Sequence, residues 1–93
     1  MHVGMLQVRI HMREAASLKD KRQVVKSILE RVRHRFSVAA AEVDDLDLHQ
    51  TAVLGFAAVS NSVHHARQVV TNVLEFIRGH PVAVVTEHEL EVL

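Results

Sequence analysis

Polar and apolar residues alternate from His2 to Met12. Leu6, Val8, Ile10 and Met12 fall on one side and Met5, Gln7, Arg9 and His11 on the other, the period of a strand with one covered face. After a short connection, Arg13 to Ala16, the period changes. At about 100° per residue, Leu18, Val25, Ile28, Leu29, Val32 and Phe36 share an arc of about 100°, which predicts a helix from Ser17 to Phe36 packed on a core. Ser17 is placed to N-cap it, with Asp20 reaching back toward the Ser17 amide in a variant of the capping box. Lys21 projects from the apolar arc. In the first turn its stem can cover core edge while the ammonium stays in water, so burial of Lys21 is not expected.

Ser37 to Val43, small and β-branched, predicts a second strand, and Asp44 to His49 a polar turn. Thr51 to Val59 is apolar at both parities, the mark of a central strand covered on both faces. Which parity faces the helices is open, and with it whether Phe56 is core or surface. Ser60, Asn61 and Ser62 offer caps for a second helix whose face is Val63, Ala66, Val69, Val70, Val73, Leu74 and Ile77, stopped by Gly79 and Pro81. Val82 to Leu93 alternates again, with Glu87, Glu89 and Glu91 on one side. Repeated charge suits an edge strand. The order strand, helix, strand, strand, helix, strand assembles most simply as a ferredoxin-like α+β sandwich: a four-stranded antiparallel sheet with both helices on one face. One domain, residues 1–93, accommodates it.

The chain has no cysteine, which excludes disulfides, thiol catalysis and cysteine-based zinc sites and suits a reducing cytoplasm. Its longest apolar run, Ala52 to Val59, is too short to cross a bilayer. A soluble, cytoplasmic protein is expected. The formal net charge of zero conceals an asymmetry: residues 1–36 hold nine Lys or Arg against three Asp or Glu, residues 37–93 two against eight. A basic surface for nucleic acid fits that split, as does an acidic part meeting a basic part within or between chains.

On the first helix Lys19, Arg22, Lys26 and Arg33 fall in a separate arc of about 60°. Such a stripe can contact backbone phosphates without requiring a base sequence, and Arg9 is grouped with it as a further candidate cation. An ordinary solvated helix face is the alternative. The open sheet face, with Met5, Gln7 and Phe56 as candidate contacts, is too apolar to stay in water and is expected to pair with a second copy. Base stacking there is disfavoured, because Phe56 is the only aromatic of the third strand, the first strand has none, and Tyr and Trp are absent.

Eight histidines are scattered without an HxxxH pair, so no metal or cofactor is expected. Asp44, Asp45 and Asp47 read as a solvated turn. Ser60 and Ser62 lie near His64 and His65 but are better used as helix caps. No catalytic set is recognisable, and the expectation is a non-enzymatic protein.

The run SLKDKRQVVKSIL, Ser17 to Leu29, resembles the YlxP-like bacterial family, a domain of unknown function. VGMLQVRI (Val3 to Ile10), SVAAAEVD (Ser37 to Asp44) and LGFAAVS (Leu54 to Ser60) extend the likeness over nearly the whole chain. The resemblance implies a ferredoxin-like fold. It also implies genes that lie, in many bacteria, beside those for transcription elongation, translation initiation and ribosome maturation, hence ribosomal RNA or a ribosome-associated protein as partner. It supplies no reaction and no catalytic residues. A Trp common in the family is His49 here, which alters any contact that aromatic makes.

Overall fold

The computed structural model describes residues 1–93. The elements are β1 (His2–His11), α1 (Leu18–Arg35), β2 (Ala39–Asp44), β3 (Thr51–Ser60), α2 (Val63–Arg78) and β4 (Val84–Val92). The strands form one antiparallel sheet in the order β2-β3-β1-β4, with β3 central and β4 at an edge. This is the ferredoxin-like α+β arrangement that the alternation predicts.

The two helix starts follow from their serines. Ser17 Oγ accepts from the Asp20 amide (3.1 Å) and Ser62 Oγ from the His65 amide (3.2 Å), each satisfying an N–H that the first turn would leave unpaired. The Asp20 carboxylate, however, accepts from the Ala16 amide (3.0 Å) rather than from Ser17. Ser17 is extended (φ −153°, ψ 166°), so the amide that meets the short Asp side chain is the preceding one.

Register settles the parity of β3. Leu6 stands opposite Phe56, Val8 opposite Leu54 and Ile10 opposite Ala52, all facing the helices and all buried. They meet Val25, Ile28, Leu29 and Val32 of α1 and Val70, Val73, Leu74 and Ile77 of α2 in one core. Phe56, 3% exposed, is therefore a core residue and not part of the open face, where it was a candidate contact. The expectation that β3 is covered on both faces is also only partly met. On the open side Val53 is buried, opposite Arg9 and Asp44, but Val59 is 67% exposed.

A tight approach fixes α2 on the sheet. At Gly4 of β1 an added Cβ would lie 2.5 Å from the Ala66 carbonyl oxygen, so only glycine allows this helix to come so close. At the far end of the helix layer Phe36 and Phe76 meet edge to face, centroids 5.8 Å apart, with the Arg35 guanidinium 5.3 Å from the Phe76 ring. No helix is long and apolar enough to cross a membrane.

Candidate nucleic-acid interface

The sandwich sorts charge by layer. α1 and α2 together carry nine Lys or Arg against three Asp or Glu, a net +6, and the strands and connections carry two against eight, a net −6. The asymmetry along the chain thus becomes one between the helix layer and the rest of the fold, with three of the eight acidic residues, Glu87, Glu89 and Glu91, in a row on the open face of the sheet.

Because the apolar arc of α1 is turned to the core, Lys19, Arg22, Lys26 and Arg33 all point outward and are exposed. Lys19 and Arg22 have no acidic partner; Lys26 approaches Glu30 at 4.0 Å, one turn on, at the limit of an ion pair. Arg33 instead donates to the Ala40 carbonyl oxygen, tying the end of α1 to β2. The stripe therefore comprises three available cations and a fourth partly engaged in structure. Arg31 and Arg35 add charge toward the helix end.

Arg9 does not join them. It projects from the opposite side of the sheet, where it donates to Asp45 Oδ2 and lies 3.8 Å from Glu87. Neutralised there, it belongs to a structural network.

That network also corrects the expectation for Lys21. Its side chain is fully buried, 0% exposed, and its ammonium lies 2.9 Å from Glu42 Oε2 and donates to the Asp45 carbonyl oxygen. Glu42 occupies the helix-facing parity of β2, opposite Leu54, so the partners lie inside the sandwich and the ammonium need not seek water. The Glu42 contact has ion-pair distance without a directed hydrogen bond, leaving Oε2 otherwise unpartnered. Asp45 adopts positive φ (57°) and so turns its carbonyl to Lys21 while its carboxylate takes Arg9. One residue of the acidic turn binds a cation from each face of the sheet. The signal in the sequence was Lys21 within an apolar arc and Glu42 at the same parity as Ala40 in β2, two residues before the acidic turn.

The other candidates remain apart. Ser60 Oγ lies 3.1 Å from His65 Nδ1, but the same hydroxyl accepts from the Ser62 amide and no acid orients the imidazole. No group of three or more His, Cys, Asp or Glu side chains is placed to hold a metal ion. His80 is held below the ordinary histidine value of 6.5 by partial burial and by the nearby Arg31 guanidinium. Its Nδ1 accepts from the amides of Val82 and Ala83, both at 3.2 Å, an arrangement that fixes the chain between α2 and β4.

A family model described as a protein of unknown function (DUF503) matches residues 3–90. The chain belongs to this family. It is also 37% identical over 79 residues, 85% of its own length and 86% of the relative's, to the uncharacterized protein YlxP of Bacillus subtilis (strain 168). The match spans both helices and all but the end of β4. The DUF503 assignment accords with the resemblance carried by SLKDKR, and the structure divides that motif in two: Lys19 and Arg22 face solvent, and Lys21 anchors the β2–β3 turn.

Proposed function

We propose that this DUF503 domain is a non-catalytic RNA-binding module that presents the outward face of α1 to the sugar-phosphate backbone, ribosomal RNA being the class to test first. The observation that carries the proposal is the outward stripe of Lys19, Arg22 and Lys26, set in a helix layer of net +6, with Lys19 and Arg22 free of acidic partners and Lys26 only 4.0 Å from Glu30 in an exposed contact at the limit of an ion pair. Flexible cations on a rigid helix contact phosphates irrespective of base identity. The absence of an aromatic platform on β1 and the burial of Phe56 argue against base stacking on the sheet. The non-catalytic part of the proposal rests on the Ser60–His65 contact, which lacks the third group of a triad and serves the start of α2.

The test is binding of a labelled ribosomal RNA fragment mixture to the parent and to the combined variant Lys19→Glu, Arg22→Glu, Lys26→Glu over a salt series, with circular dichroism to confirm folding. Engagement of about four phosphates gives a log-log salt slope of about −3, a loss of roughly sixtyfold in affinity between about 50 and 200 mM salt. The variant should lose binding, and Arg9→Gln should retain it. Absence of parent binding at low salt overturns the proposal.

A further inference from the structure

The opposite face of the sheet has the converse chemistry. β2 and β3 give it a floor of mostly small residues, Ala39, Ala41 and Ala57, with the Val43 side chain lying over Gly55, beside Met5 of β1, which is 42% exposed. Along one side of this trough runs a carboxylate row, Glu87, Glu89 and Glu91, standing opposite Arg9, Gln7 and Met5 in the register of β4 on β1. Glu89 and Glu91 have no cationic partner and Glu87 has only Arg9 at 3.8 Å. Edge protection explains charge on β4, but not an apolar floor left uncovered beside it.

We infer that this trough receives a basic amphipathic helix of another protein, apolar side against the small-residue floor and Lys or Arg side against the glutamate row. Spacing and charge both fit. Alternate residues of a strand recur at about 7 Å and residues four apart on a helix at about 6 Å, so successive turns can each offer a cation to successive glutamates. Small floor residues let a helix approach closely, the helix-in-groove mode of recognition. A second copy paired face to face fits less well: Arg9 is the only Lys or Arg on the face and is already held by Asp45. A twofold pairing would therefore cover glutamates on both sides without supplying cations.

The probe is a synthetic helix of about 18 residues, long enough at about 27 Å to run along the strands past all three glutamates, with leucines on one face and lysines on the other. Two controls are used, one with serines replacing the leucines and one with glutamates replacing the lysines. Binding to the full chain is followed by amide chemical shifts and by light scattering. The Leu/Lys peptide should shift Met5, Ala57 and Glu89 while the protein remains monomeric, and both controls should bind at least about tenfold more weakly. Combined Glu87→Gln, Glu89→Gln and Glu91→Gln, at exposed edge positions compatible with folding, should weaken it about tenfold for the loss of three surface ion pairs. Equal binding of the serine peptide, shifts confined to α1 and α2, or insensitivity to the glutamine variant would overturn the inference. So would a dimer closed by the trough, or a concentration-dependent stack of basic helix layer on acidic sheet. RNA binding by Lys19, Arg22 and Lys26 is read on the other face, so either result leaves the other standing.

Discussion

Replacing Lys21 by methionine tests whether the centre of SLKDKR is structural. At 2.9 Å from Glu42 Oε2, with an effective dielectric constant of about 20, the attraction is about 6 kcal/mol. Taking both groups out of water costs several kcal/mol each, which brings the pair near to break-even with an apolar pair. Removing only the lysine is different. It orphans a carboxylate whose side chain is 16% exposed and releases the Asp45 carbonyl that holds the turn. Breaking such a pair costs about 3–5 kcal/mol, and the residual exposure of Glu42 places the loss near the lower end, about 3 kcal/mol. In a domain of this size that lowers Tm by about 15 °C. Urea unfolding followed by circular dichroism at neutral pH should show this for Lys21→Met and a comparable loss for Glu42→Leu. The double variant should return to within about 1 kcal/mol of the parent, since both charges are gone. A single-variant loss below about 0.5 kcal/mol, or strict additivity in the double variant, would refute the burial-and-pairing account.

Gly4→Ala should cost about 1–3 kcal/mol in the same assay, because its Cβ must displace the Ala66 backbone by which α2 lies on β1. Phe56→Ala should cost about 3–5 kcal/mol, whereas Met5→Ala, on the open face, should change stability by about 0.5 kcal/mol or less; the reverse order would move Phe56 to the surface. His80 should titrate below 6.5 by NMR, and because the unfolded chain then binds the proton more readily, its contribution to stability is complete above 6.5 and is lost as pH falls through its lowered folded value. His80→Gln should flatten that part of the stability profile, and an unchanged slope would exclude His80, lowered by partial burial and by Arg31, as its source.

The order of elements was legible because β1, β4 and both helices carry clear periods, β2 and β3 stand out as short β-branched or apolar runs between turn signals, and the caps Ser17 and Ser62 mark where the period changes. Phe56 was not, for a reason local to β3: when both parities of a strand are apolar, alternation carries no information about which faces the core. The decision came from β1, whose Leu6, Val8 and Ile10 impose their side on whatever pairs with them. Lys21 failed for a different cause. Periodicity placed it correctly toward the core, and the expectation of a solvated ammonium overrode that placement because its partners, Glu42 and the Asp45 carbonyl, lie 21 and 24 residues away and meet it only once β2 is docked. The positive φ of Asp45, which aims carbonyl and carboxylate in different directions, has no sequence signal beyond an Asp in a turn. The same distinction governs the two proposed surfaces. The basic stripe of α1 is local, since one helix turn sets its residues side by side. The acid-rimmed trough is assembled from β1, β2, β3 and β4, so three small-residue or acidic patterns that mean little singly become one face only through strand order. Charge follows suit: a split between the first 36 residues and the remainder reads as a gradient along the chain, but the docking of α2 with α1 on one side of the sheet gathers the cations into one layer and leaves the carboxylates to the strands and connections.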